Sequence, residues 1–155
     1  MCSTATPEQL IEAAIRLAEE AARRGDPPFG ALLVSPLGEV VAMASNREVS
    51  AGDPTAHAEL ELLRAAARDA RRPPLRGYTV AVNAEPCSMC ASALVRAEIE
   101  LLLYGASRPP GTDPDLGVAD VFGRASRPPH ITAGIRAAEA SAQIAGAQAT
   151  DARRG

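Results

Sequence analysis

The first periodic stretch of the chain lies between Thr6 and Gly25. Leu10, Ile11, Ala14, Ile15 and Ala18 recur at helical spacing, while Glu12, Arg16, Glu19 and Glu20 fall on the remaining faces. Thr6 followed three residues later by Gln9 makes a capping box, Pro7 suits the first helical position, and Gly25 is a fitting stop. The period then changes. "GALLVS" (30–35) and "EVVAMAS" (39–45) are short, nearly continuous apolar runs joined by Pro36-Leu37-Gly38, which predicts two strands and a turn, both strands covered on the two faces of a sheet. A polar loop, "NREVSAGDP", leads to a helix from about Ala56 to Ala70 with Leu60, Leu63 and Ala67 turned inward. After a loop broken by Pro73-Pro74, "YTVAVN" (78–83) predicts a third strand, "SMCASALVRA" (88–97) a helix and "IELLLYGA" (99–106) a fourth strand.

From Ser107 to Pro129 the Pro, Gly and Asp content rises and no element is expected; "SRPP" occurs there twice without a periodic unit around it. Ile135 to Ile144 predicts a closing helix, with a frayed tail over about 147–155. Strands that alternate with helices late in the chain imply parallel pairing and helices on both sheet faces. The expected fold is therefore α/β: a three-layer α/β/α sandwich around a central mixed sheet, in one domain over residues 1–155.

Composition narrows the function classes. A chain of 155 residues buries roughly 70% of its unfolded surface and folds without staples. The early apolar stripe carries too many charges for a secretory leader, and no apolar run reaches the roughly 20 residues that cross a bilayer. With Cys2, Cys87 and Cys90 as an odd set, a reducing, cytoplasmic setting is expected. The net charge of −3 gives nucleic acid no general attraction, and Phe29, Phe122, Tyr78 and Tyr104 are few platforms for stacking bases. Composition thus favours a small-molecule enzyme with no membrane partner.

Two half-motifs carry candidate chemistry. In "DPTAHAELE", His57 precedes Glu59 at a helix start; in "AEPCSMC", Cys87 and Cys90 straddle another. Alone, the histidine fits a cap or core position, and the cysteines fit a redox pair, half a structural zinc site or core packing. Together they offer one imidazole and two thiols, a donor set suited to Zn²⁺. His130 has no neighbouring ligand and Cys2 lies at the terminus, so three protein ligands and a nearby carboxylate indicate an open rather than a closed site. Residues two apart point away from each other within a helix, so His57 and Glu59 share a site only if the helix begins between them.

"HAE" followed by "PCSMC" matches the H-x-E…P-C-x-x-C signature, and the chain resembles the zinc-dependent cytidine deaminase-like superfamily. "PFGALLV", "SNREVSAGDPTAHAELELLR" and "AEPCSMCASALVRA" extend the similarity over about residues 5–106, to nucleobase deaminases and tRNA adenosine deaminases alike. The resemblance implies one Zn²⁺ per chain on His57, Cys87 and Cys90, with Glu59 as the catalytic acid/base. It also implies a substrate contact at Asn46, a backbone contact at Ala58 and a pocket wall at Phe29; packing in the core is an equal reading of Phe29. Asn83 either reaches the pocket or ends a strand. The implied reaction is hydrolytic: water adds at the amine-bearing ring carbon, Glu59 moves the protons, and ammonia leaves. "PPFG", and a segment after residue 106 unlike that of the tRNA enzymes, rank a free nucleobase or nucleoside first (guanine, adenine or cytosine). Adenosine in tRNA comes second, favoured by "HITAGIRAAEASAQI". An inactive zinc-stabilised interaction module is a remote third reading. A homodimer is expected from the same resemblance.

Overall fold

The computed structural model describes residues 4–69 and 73–154. Cys2, Arg71, Arg72 and the expected helix end at Ala70 lie outside the described residues. Helix α1 (Pro7–Arg24) opens with the capping box: the Gln9 amide donates to the Thr6 hydroxyl at 3.2 Å, and the Thr6 amide to Gln9 Oε1 at 2.9 Å. Gly25, with φ +91°, closes it in the left-handed conformation. Leu10, Ile11, Ala14, Ile15 and Ala18 are all buried, so this stripe has the orientation its spacing predicts.

Strands β1 (Gly30–Val34) and β2 (Val40–Ser45) form an antiparallel hairpin. β1 also pairs antiparallel with β3 (Thr79–Ala84), which pairs in parallel with β4 (Leu101–Ala106) and, through it, with β5 (His130–Thr132). The mixed sheet has the order β2-β1-β3-β4-β5. Its two faces divide the core by the period of two. Val80, Val82, Leu102 and Tyr104 pack with α3 (Ala58–Arg68), α4 (Ser88–Arg96) and α5 (Val118–Phe122). Ala81 and Leu103 pack with α1 and α6 (Ala137–Ala152). This is the expected three-layer α/β/α sandwich.

Five expectations are corrected. β2 is an edge strand, half exposed, with Met43 at 59%; a continuous apolar run signals two covered faces only where helices reach both. The inward face of α3 is Ala58, Glu59, Leu62 and Ala66, with Leu60, Leu63 and Ala67 at its half-buried margin. That rotation follows from the start of the helix, which turns Glu59 into the protein. The polar loop contains a short helix, α2 (Glu48–Ala51). The Pro- and Gly-rich segment holds α5 and leads into β5, anchored by buried Val118 and Phe122. The closing helix runs to Ala152, so residues 147–152 continue it where a tail was expected.

Candidate active site

Two helix starts and the C-terminal ends of two parallel strands converge on one cleft of about 500 Å³. Open α/β sheets place ligands at such strand ends. His57 is the N-cap of α3, with extended backbone (φ −67°, ψ 152°), and Cys87 the N-cap of α4 (φ −69°, ψ 170°). Because His57 precedes the first helical residue, the two-residue spacing does not separate it from Glu59. Both line the cleft.

His57 Nδ1 lies 3.4 Å from Cys87 Sγ and 3.5 Å from Cys90 Sγ. All three ligand atoms lie within 4.8 Å of one another. A tetrahedral zinc with Zn–S of about 2.3 Å and Zn–N of about 2.0–2.1 Å requires S···N edges of roughly 3.5 Å. The donor set and its spacing therefore fit zinc, bound through Nδ1. Each cysteine lies at the start of α4, where the helix dipole favours thiolates. Without metal, a hydrogen bond from Cys90 and the imidazole of His57 bring the Cys87 thiol down to about 4. The same hydrogen bond and burial push Cys90 up. His57 is pushed up to about 9 by its bond to the Cys87 thiolate, against its own burial. Metal binding must displace these protons.

Glu59 is 6% exposed. Burial raises its carboxyl above the ordinary range, reinforced by the Cys87 charge. A carboxyl whose ionisation is opposed by burial, set beside a cleft, is suited to proton transfer. Phe29, Asn46 and Ala58 also line the cleft, while Cys90 lies fully buried behind it. Phe29 combines both of its readings, because it packs against both core clusters and forms cleft wall. Ala58 is the first residue of α3, so its amide has no intrahelical acceptor.

Asn46 is 1% exposed, and its amide is engaged: Nδ2 donates to Glu48 Oε2 at 2.6 Å, and Oδ1 accepts from the Glu48 amide at 2.9 Å. One N–H and one lone pair remain for another partner. Asn83 is fully buried and braces the entry to β1. Its Oδ1 accepts from the Gly30 amide at 3.0 Å, and Nδ2 donates to the Pro28 carbonyl at 3.0 Å and to Gln143 Oε1 at 3.4 Å. It thereby ties the segment carrying Phe29 to β3 and α6.

Several cleft residues escaped the sequence reading. Glu85 accepts from the Arg108 and Val118 amides, at 3.0 and 3.2 Å, and so fixes the cleft wall beyond β4. Its place inside "AEPCSMC" was the available signal. Ser141, Ile144 and Gln148 of α6 close the opposite wall. Asp26 binds the Val49 and Ser50 amides at 3.0 and 2.8 Å and the Ser50 hydroxyl at 2.8 Å, holding α2 in place. Neither set carried a local signal.

A second groove of about 440 Å³ adjoins the cleft across Phe29 and Gln148, and it is bordered by Arg23 and Arg154.

Residues 4–106 match the family described as the cytidine and deoxycytidylate deaminase zinc-binding region. The tRNA(Ile)-lysidine synthase of Deinococcus deserti is 37% identical over 83% of this chain, and the chain spans about a quarter (24%) of that protein's length. A solved structure from work on A-to-I editing by tRNA:A34 deaminases is 34% identical, with a TM-score of 0.78 over 86% of this chain and 97% of that one. Guanine deaminase from Nitrosomonas europaea, at 22% identity, shares the fold with a TM-score of 0.77 over 94% of this chain and 86% of that chain.

Proposed function

The chain belongs to the cytidine and deoxycytidylate deaminase zinc-binding family, and from that premise we propose that it is a hydrolase that deaminates an amino-substituted nucleobase, with adenosine presented in tRNA as its best-supported substrate. When bound, zinc lowers the pKa of a coordinated water towards about 7 and supplies a nucleophile at neutral pH. Glu59, its acidity weakened by burial, would take one proton from the attacking water and pass it to the ring nitrogen. It would then take the proton of the added hydroxyl and deliver it to the amine, which leaves as ammonia while the ring carbon becomes a carbonyl. The Ala58 amide and the free N–H of Asn46 orient the base, and Phe29 walls it. The carrying observation is the cluster of His57, Cys87 and Cys90 beside buried Glu59.

The preference for tRNA reverses the order suggested by the sequence alone. "PPFG" was one argument for a free base, and its last two residues have packing reasons. Phe29 packs against both core clusters, and a Cβ on Gly30 would lie 2.5 Å from the Ala14 carbonyl. The groove that adjoins the cleft across Phe29 and Gln148 carries Arg23 and Arg154, neither of which has an ion-pair partner among the described residues, together with Asp26 and Asp151. Asp26 is already engaged by Arg24 and the α2 amides, so two unpaired cations stand against one exposed carboxylate, a balance that suits flanking phosphates. The relatives named for tRNA add support. The fold shared with guanine deaminase keeps a free purine as the second reading.

A direct comparison decides between them. Zinc-loaded protein should form inosine in an anticodon stem-loop, with a rate that falls steeply as salt rises, and should release little ammonia from guanine, adenine or cytosine. Ammonia from a free base, with no inosine in the stem-loop, would select the second reading. Inertness towards both would refute the proposed activity.

A further inference from the structure

Glu48 stands between the two halves of the site without lining the cleft itself. Its Oε1 approaches His57 Nε2 to 3.5 Å, on the ring edge opposite the one that faces the cysteines. Its Oε2 accepts from Asn46 Nδ2 at 2.6 Å, and its own amide donates to Asn46 Oδ1 at 2.9 Å. We propose that Glu48 is a positioning residue that holds His57 in the metal-binding tautomer and fixes the amide of Asn46 towards the substrate, coupling metal retention to substrate orientation. The inference rests on the reading of His57, Cys87 and Cys90 as a zinc site.

The physical argument has two parts. A neutral imidazole carries one proton, so binding metal through Nδ1 requires that proton on Nε2. Glu48 is the carboxylate facing Nε2, and a carboxylate there favours the N–H, fixes the ring plane and strengthens Nδ1 as a donor. Asn46 could otherwise present its amide either way round. Flipping it would put Oδ1 against the Glu48 carboxylate and Nδ2 against the Glu48 amide, two repulsive contacts in a buried place.

Glu48 is itself held from behind. Asp26 binds the next two amides of α2, and the Arg24 guanidinium donates to the Asn46 carbonyl at 3.0 Å and to Asp26 Oδ2 at 3.2 Å. The carboxylate therefore starts from a braced backbone.

Glu48→Gln keeps the shape but places an amide where two donors converge. Zinc affinity, measured by competition with a chromophoric chelator, should fall by about 10–100-fold. The KM of the substrate turned over by the wild type should rise more than kcat falls. The metal-free melting temperature should stay at the wild-type value. Glu98→Gln, which breaks a remote surface pair with Arg76, should change neither affinity nor KM.

A second readout uses the wild type. The chain has two histidines, and nitrogen-15 correlation spectra of the zinc form should show His57 protonated at Nε2, with that signal lost or broadened in Glu48→Gln. Wild-type zinc affinity and KM in Glu48→Gln, or zinc bound through Nε2, would overturn the inference while leaving the metal site intact. A wild type that binds no zinc would overturn both readings together.

Discussion

In the proposed reading Cys87, Cys90 and His57 hold metal and Glu59 moves protons, and single substitutions separate the two roles. Glu59→Gln preserves size and removes the titrating group. It should keep zinc and fold while losing at least about 10²-fold in turnover. Comparable turnover in that variant would show that the protons travel elsewhere. Cys87→Ala removes a ligand, so both zinc content and the stability gained from metal should drop, because metal binding is coupled to folding. Elemental analysis and thermal melts with and without added zinc read both effects. These four residues were legible in the sequence because their chemistry is rare and their spacing sits at two helix starts. Glu48, Glu85 and Asp26 were not, since a carboxylate in a polar loop has no signature until the fold shows what it faces.

At the level of elements, α2 and the α1–β1 contact are the devices that keep the site open and aligned. Burial opposes ionisation of Asp26, yet hydrogen bonds from the Ser50 amide and hydroxyl and from the Arg24 guanidinium outweigh it and hold the carboxyl below its ordinary 3.8. A depressed carboxyl contributes stability that is present above the unfolded value and is lost as pH falls through the folded one. Acid should therefore loosen α2 below about pH 4, the ordinary range for the group. Asp26→Asn should remove that acid dependence and cost about 1–3 kcal/mol at neutral pH, read by chemical unfolding across pH. Gly30 answers a different demand. A Cβ there would lie 2.5 Å from both the Ala14 carbonyl and Leu17 Cβ, so Gly30→Ala should push α1 off β1 and cost about 1–3 kcal/mol. An unchanged melting temperature in that variant would mean that the helix shifts without strain.

For the molecule as a whole, the net charge of −3 leaves open which local cations face the cleft. Arg23 and Arg154 border the groove that adjoins the cleft, and Asp26, held by Arg24, and Asp151 line it as well. If that groove takes the strand flanking the target base, each phosphate neutralised adds roughly −0.7 to the slope of log K against log salt. Replacing both arginines with alanine should flatten the slope by about 1.4 units and leave zinc content unchanged. An unaltered slope would place the polymer on another face. None of the described helices is long and apolar enough to cross a membrane.

Sequence by itself determined the elements whose signal is local. The α1 stripe, the hairpin, β3, α4 and β4 follow from periodicity and caps, and the gathering of His57, Cys87 and Cys90 as a candidate metal site beside Glu59 follows from donor chemistry and spacing. Tertiary structure decided what depends on neighbours far along the chain. β2 is exposed because it ends the sheet and only part of it meets a helix. α3 turns Glu59 inward because its N-cap must face the cysteines of α4, some thirty residues on. α5 and β5 form in a Pro- and Gly-rich segment because the core accepts Val118 and Phe122 and β4 offers a free edge. Glu48 meets His57 and Asn46 through a helix four residues long, too short to have a period and stable only because Asp26 binds its start. Local chemistry writes the ligands; long-range packing decides which side of each one faces the site.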